Sequence, residues 1–376
     1  MPEELKQTGT SGAARPARLL FKAGAVSTDI LLGNGLLAEA CHLLSSFGGR
    51  RMLLVSDSRV APLYAAPLHE RLRGGGFDAE TLVMPDGEGA KSIETLTELY
   101  AKCQSMYVER DDVVVAVGGG VVGDVAGMLA GTYLRGLDFV QVPTSLVSMV
   151  SASLGGKVGL NFGGYKNQVG LFKHPALVIA DITTLRTLPE REFLSGMGEL
   201  VTVGVLGAPE IFEALEADAA ADLLPLIVAA VRCKGEVVAT DPEDRLGIRM
   251  RLNLGHTFGH ALEQLSGYTL AHGLAVAAGL CVAARLASEL GICPEALYER
   301  IRSLLTSLGL PTALKGYPPD KVIKTMRGDK KRAGGRLRFV LPRALGEVEI
   351  VSEDEVQPDL LDKILRELLW ESRAGQ

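Results

Sequence analysis

The sequence predicts an α/β protein in two parts, a Rossmann-like parallel-sheet domain over residues 16–189 and a mainly α-helical domain over 190–376. Aliphatic runs of about six residues recur in the first half, the pattern of strands covered on both faces. A glycine-rich run follows one of them and opens a helical stretch. Beyond Glu190 the apolar period becomes that of helices, and strand-like runs grow scarce.

Residues 1–15 are polar and rich in Gly, Ala and Thr, the composition of a disordered lead-in. Buried strands are expected at 51–56 (Arg-Met-Leu-Leu-Val-Ser), 81–84, 112–117 (Asp-Val-Val-Val-Ala-Val) and 176–180 (Ala-Leu-Val-Ile-Ala). Helices expected at 92–107 and 123–134 lie between them, in the βαβ order of a nucleotide-binding domain. The Leu188-Pro189 turn marks the boundary. Helices then follow at 210–220, 223–238, 256–265, 274–290, 294–308 and 357–371, with a small hairpin from 337–341 and 347–351.

Composition narrows the class. A chain of 376 residues is too long for one ordinary core, which agrees with two domains. With 47% hydrophobic residues, 5% aromatics and 44 glycines, it reads as a turn-rich α/β enzyme rather than a β-sandwich or a disordered protein. A net charge of −6 argues against a nucleic-acid partner. The five cysteines lack CxxC spacing and read as reduced thiols of a cytoplasmic protein. No apolar run reaches the ~18 residues of a membrane span, and no signal peptide is expected ahead of the fold.

The chemistry concentrates in a few stretches. Asn253-Leu-Gly-His256-Thr-Phe-Gly-His260 is followed by His272, so half of the chain's six histidines crowd together. His256 and His260 stand four apart and share one helix face, which suits either metal ligands or two packed helix histidines. Glu199 lies in an otherwise apolar helical run, where a carboxylate needs a partner. A divalent metal shared with two histidines would be one. Gly118-Gly119-Gly120-Val-Val-Gly123-Asp124 joins a strand to a helix. Its glycines admit a pyrophosphate beside a helix N-terminus, and no Lys-Ser/Thr follows to make a Walker loop. Pro85-Asp86-Gly87-Glu88-Gly-Ala-Lys91-Ser92 alone reads as a solvated turn and helix start, although its acids suit ribose hydroxyls and Lys91 a phosphate. Lys157 and Lys166-Asn167 sit in glycine-rich loops, and Lys234, Arg249, Lys330 and Lys331 near helices; taken singly, each reads as surface.

Together these motifs resemble the 3-dehydroquinate synthases and, more broadly, the sugar phosphate cyclases. The resemblance runs from about residue 86 to 345 and includes Tyr-Leu-Arg-Gly at 133–136, Val-Pro-Thr at 142–144, Thr-Leu-Pro-Glu-Arg-Glu at 187–192 and Asp-Lys-Lys at 329–331. It implies a zinc (or cobalt) site of Glu199, His256 and His272, with His260 behind the ligands or against substrate. It implies an NAD site formed by Asp86, Gly87, Glu88, Lys91, Gly119, Gly120, Gly123, Asp124, Thr144, Ser145, Lys157, Lys166, Asn167, Thr184, Leu185 and Thr187. Lys157, Lys234, Arg249, Asn253 and one of Lys330 and Lys331 would hold the substrate's carboxylate, hydroxyls and phosphonate-like oxygens. Arg135 would reach a neighbouring subunit's phosphate site, which implies a homodimer.

The implied reaction converts 3-deoxy-arabino-heptulosonate 7-phosphate to 3-dehydroquinate and phosphate, in the shikimate pathway of aromatic amino acid biosynthesis. It runs through transient oxidation, phosphate elimination, reduction and intramolecular aldol closure, with NAD regenerated. Two positions depart from the family pattern: Ser151 stands where Asp is usual, and Thr202 where Lys is usual. Such departures mark cyclases acting on other sugar phosphates, which is the alternative reading. Arg249 and Asn253 keep the pattern for a carboxylated substrate.

Overall fold

The computed structural model describes residues 16–23, 26–332 and 337–370, so the expected lead-in at 1–15 lies outside the described residues. The first half contains β1 (Ala17–Ala23), β2 (Val26–Gly33), α1 (Ala40–Leu43), β3 (Met52–Asp57), α2 (Ala66–Gly74), β4 (Ala79–Met84), α3 (Ile93–Ser105), β5 (Val113–Gly118), α4 (Gly120–Thr132), β6 (Asp138–Pro143), the hairpin β7 (Lys157–Phe162) and β8 (Tyr165–Phe172), and β9 (Leu177–Asp181). Seven of these strands form one sheet in the order β1-β2-β9-β6-β5-β3-β4. All neighbours are parallel except β1 against β2.

The four expected strands are β3, β4, β5 and β9, and the residues of β3, β5 and β9 are almost wholly buried, as continuous aliphatic runs require. Five strands escaped the sequence reading. β6 contains Gln141, a buried polar residue that breaks the aliphatic run. β8 is largely exposed and turns on Gly163 and Gly164, both at positive φ, so its hairpin is set by turn chemistry and not by an apolar run. β1 and β2 pair from Ala17↔Leu32 to Ala23↔Val26 at the sheet edge, where alternation is diluted by charge.

From β3 the chain runs outward to β4 and then returns to the other side of β3 as β5. Loops after β3 and β5 therefore part, and a crevice opens at the carboxyl ends of the strands, the usual ligand position in such sheets. The second half supplies α5 (Glu190–Leu206), α6 (Pro209–Ala217), α7 (Leu223–Thr240), α8 (His256–Leu265), α9 (His272–Glu289), α10 (Glu295–Ser307), α11 (Pro319–Arg332), the expected hairpin β10 (Arg338–Ala344) and β11 (Glu347–Ser352), and α12 (Pro358–Leu365). α9 is buried along nearly its whole length, and its core is continuous with Ile30, Leu32, Val178 and Ala180 of the sheet. That shared core fixes the helices over the crevice.

Candidate active site

Two glycine crossings carry the acid and the histidines to one place. A Cβ on Gly273 of α9 would lie 1.7 Å from the Ser195 carbonyl oxygen, and one on Gly198 of α5 would lie 2.2 Å from the Gly273 carbonyl oxygen. Backbone meets backbone there, and the Gly273 N–H donates to Ser195 Oγ at 2.8 Å. A Cβ on Gly279 would lie 2.1 Å from the carbonyl oxygen of Gly255, the residue just before α8. Glu199 follows Gly198, His272 precedes Gly273 and His256 follows Gly255, so each functional side chain is bonded directly to a contact glycine.

Glu199 Oε1 lies 3.3 Å from His256 Nε2 and 3.0 Å from His272 Nε2. Neither ring aims an N–H along that line, and Oε1 is buried without a hydrogen-bond donor. The other nitrogens are taken: His256 Nδ1 is 2.9 Å from the Leu254 carbonyl oxygen, and His272 Nδ1 is 2.9 Å from Glu263 Oε2. With Nδ1–H donating, each Nε2 is the nitrogen left for a cation and offers it a lone pair once the ring is neutral. A buried anionic oxygen and two imidazole lone pairs turned on one point are the donor set of a divalent cation. The fit is good. The His260 ring lies edge-on to His256, with centroids 5.4 Å apart, and its nearest nitrogen also falls within 4.8 Å of theirs.

The electrostatics follow from this crowding. Burial pushes the Glu199 carboxyl up, but His256 and His272 outweigh it and hold it well below the usual range. Burial pulls the His272 imidazole down, yet Glu199 and Glu263 together hold it up to about 10, so a cation binding at Nε2 would displace a proton there. Glu263, pushed up by burial, is brought down to about 2 by His272 and Lys166.

Two cavities meet at the histidines. The larger, about 1050 Å³, lies at the strand ends and takes in Asp86, Gly87, Glu88, Lys91, Gly119, Gly120, Asp124, Thr144, Ser145, Lys166, Asn167 and Thr187 of the expected dinucleotide positions, with His260 and His272 opposite. The smaller, about 200 Å³, is lined by Lys157, Glu199, Lys234, Arg249 and Asn253, and His256 belongs to both. Lys91 pairs with Asp124, just past the first turn of α4. Lys157 Nζ lies 2.5 Å from Asp244 Oδ2. Lys234 Nζ donates to the Ser151 carbonyl at 2.7 Å and to its Oγ at 2.8 Å. Burial pushes the Lys234 ammonium down to about 8; Glu199 opposes this, while Arg249 and Lys157 add to it. Arg249 is buried, donates to the Pro242 carbonyl at 3.0 Å, and keeps an Nε with no acceptor.

Several expected positions fall elsewhere. Lys157 lines the small cavity and not the large one. Gly123 makes room for Gln141, whose Oε1 a Cβ would meet at 3.3 Å. Thr184 is buried with its hydroxyl donated to the Asp181 carbonyl, and Leu185 packs on the core, so neither faces the crevice. Arg135 sits on an exposed turn at φ 70°. The side chains of Lys330 and Lys331 lie outside the described residues, although both belong to α11. Of the two departures, Ser151 holds Lys234, and Thr202 spends its hydroxyl on the Gly198 carbonyl of its own helix at 2.8 Å. The sequence reading missed Glu263 and Asp244. Glu263 stands seven residues after His256 and three after His260, on the same helix face, and that spacing was the available signal.

Residues 81–195 match the family described as 3-dehydroquinate synthase N-terminal, and residues 196–332 match 3-dehydroquinate synthase C-terminal. A 3-dehydroquinate synthase of Synechococcus sp. (strain CC9605) is 43% identical, with 87% of this chain and 92% of that protein covered. Among solved structures, the 2-epi-5-epi-valiolone synthase of Streptomyces hygroscopicus subsp. jinggangensis 5008, with NAD+ and Zn2+ bound, superposes with a TM-score of 0.83 at 28% identity, covering 92% of this chain and 97% of that one. A 2-deoxy-scyllo-inosose synthase complexed with carbaglucose-6-phosphate, NAD+ and Co2+ gives a TM-score of 0.83 at 25% identity, covering 94% and 100%. The chain belongs to the 3-dehydroquinate synthase family.

Proposed function

We propose that the chain is a 3-dehydroquinate synthase that converts 3-deoxy-arabino-heptulosonate 7-phosphate to 3-dehydroquinate and phosphate. The observation that carries this is the convergence of Glu199, His256 and His272 where a dinucleotide-sized cavity meets a small one lined by cations. Glu199, His256 and His272 would hold a zinc or cobalt ion, and the loops after β3, β4, β5 and β6 would hold NAD. When bound, NAD takes up and returns a hydride while the divalent cation acidifies the substrate hydroxyl.

The chain's own residues do the rest. Gly119 and Gly120 let the backbone of α4 approach a pyrophosphate at its N-terminus. Arg249, buried with a free Nε, takes the substrate carboxylate, and Lys157 and Lys234 bind anionic and hydroxyl oxygens beside it. His260 faces the large cavity beside the other two rings, and burial with His256 and His272 pushes it down to about 3, so as a neutral ring it can hydrogen-bond a substrate hydroxyl. Burial in the small cavity excludes water while the phosphate leaves and the ring closes.

A cyclase acting on a different sugar phosphate is not favoured: the curated relatives at 40–44% identity are named 3-dehydroquinate synthases, whereas the solved cyclases with other products stand at 25–28%. Ser151 and Thr202 add no new anchor for another substrate. We place the domain boundary at Pro189, between β9 and α5, and propose a cytoplasmic homodimer in which Arg135 reaches the partner's site. No helix among the described residues is long and apolar enough to cross a membrane. The test is phosphate release from a panel of sugar phosphates with NAD and zinc present. Turnover of the heptulosonate phosphate is expected; turnover of a heptulose 7-phosphate without it contradicts the assignment.

A further inference from the structure

Glu263 on α8 is only 2% exposed, and both of its carboxylate oxygens are committed. Oε2 accepts from His272 Nδ1 at 2.9 Å, and Oε1 accepts from Lys166 Nζ at 2.9 Å. Lys166, on β8, looks the other way into the large cavity. There Glu88 Oε1 stands 3.7 Å from its Nζ, and its Nζ lies 4.9 Å from the centre of the Tyr268 ring. Glu88 is held in turn by Asn161 Nδ2 at 2.9 Å. A single file of charged groups therefore runs from the loop after β4 through Lys166, Glu263 and His272 to Glu199.

We propose that Glu263 is a positioning residue that couples the two cofactor sites: it fixes the His272 ring with Nε2 toward Glu199, and through Lys166 it makes metal and dinucleotide strengthen each other's binding. This rests on the functional reading above. The sign comes from sharing one carboxylate between two donors. An anionic dinucleotide in the cavity draws the Lys166 ammonium toward itself, which leaves Glu263 a stronger acceptor for the His272 N–H. A more strongly held N–H makes the opposite ring nitrogen a better ligand. In reverse, a cation on His272 polarises its N–H, pulls Glu263 that way, and frees Lys166 for the anion. Linkage requires the two effects to be equal.

The test is a set of zinc affinities measured by chelator competition on the full chain, with and without saturating NAD. In the wild-type protein NAD is expected to tighten zinc by about fivefold or more. Glu263→Gln keeps the shape but turns an acceptor into a mixed group; it should weaken zinc roughly ten- to hundredfold and abolish the NAD effect. Glu263→Asp should recover part of the zinc affinity, which distinguishes a placed carboxylate from a merely packed side chain. Lys166→Gln, with NAD re-titrated to saturation for this variant, should bind zinc without NAD at least as tightly as the wild type yet show no tightening when NAD is bound. Visible spectra of the cobalt-loaded Gln variant should shift as the ligand ring turns, while circular dichroism stays native. Wild-type zinc affinity retained in Glu263→Gln, or an NAD effect that survives there, overturns the inference and leaves the functional reading standing. Failure of the wild-type protein to bind zinc or NAD at all overturns both.

Discussion

The two cavities are built on different principles. The large one at the strand ends takes much of its wall from loops and from the N-terminus of α4, with Lys91 and Lys166 among the side chains that enter it. The small one is walled by long charged side chains from α5, α7 and α8 and the loops beside them, held in register by glycines at helix crossings. A site made of backbone tolerates exchange of side chains that do not enter the crevice. A site made of three side chains on separate helices depends on every contact that sets the helix spacing.

The largest effect should come from the small cavity's acid. Glu199→Gln leaves two imidazoles facing a neutral amide. It should abolish zinc retention on dialysis and lower kcat/KM by roughly a thousandfold, since the metal contributes several kcal/mol. Zinc retained at full stoichiometry in this variant would break the comparison at its root.

Next come paired glycine exchanges. Gly273→Ala drives a methyl group into the Ser195 carbonyl and should cost about 1–3 kcal/mol or more of stability together with the metal. Gly120→Ala meets only the Ala152 methyl at 3.5 Å, so stability should hold within ~0.5 kcal/mol while NAD affinity falls. Thermal melts and NAD titrations on both variants check the contrast; equal destabilisation would contradict it.

A pH series sharpens the same contrast. The Lys234 ammonium, pushed down to about 8 by burial, loses its proton as pH rises through that value. KM for the anionic substrate should therefore climb severalfold between about pH 7 and 9, with NAD affinity changing less. Lys234→Arg should flatten the rise. Because an unfolded lysine titrates near ~10.4, the buried ammonium costs stability below about 8, and that cost is relieved as pH rises from about 8 toward 10.4. The smallest effect is expected at the join of sheet and helices. Tyr64→Phe removes the bond to Thr187 Oγ1 at 2.5 Å and to the Thr184 carbonyl at 3.0 Å, for a loss of about 1 kcal/mol.

What could be read from the sequence was what is local. β5 running into Gly118, Gly119 and Gly120 is one continuous stretch, and His256 with His260 is a single helix face. Those features fixed the sheet class and the histidine pair. Glu199 was legible as an anomaly, a buried acid in an apolar helix. Glu263 was not, because an acid on an amphipathic helix is ordinary until β8 and α9 place a lysine and a histidine against it. Asp244 was missed for the same reason: its partner Lys157 lies 87 residues away in the chain. Thr184 and Leu185 went the other way. The family resemblance implied a dinucleotide role for them with Thr187, but the short helix Ile182–Thr187 turns them inward. The edge strands β1 and β8 escaped because their order comes from partners and not from their own apolar pattern.

The most direct measurement is anomalous diffraction at the zinc edge from crystals of the NAD-loaded protein. The account predicts one strong peak at about 2.0–2.2 Å from Glu199 Oε1, His256 Nε2 and His272 Nε2. A peak seated on other side chains, or none at these three atoms in protein that carries zinc, would contradict it.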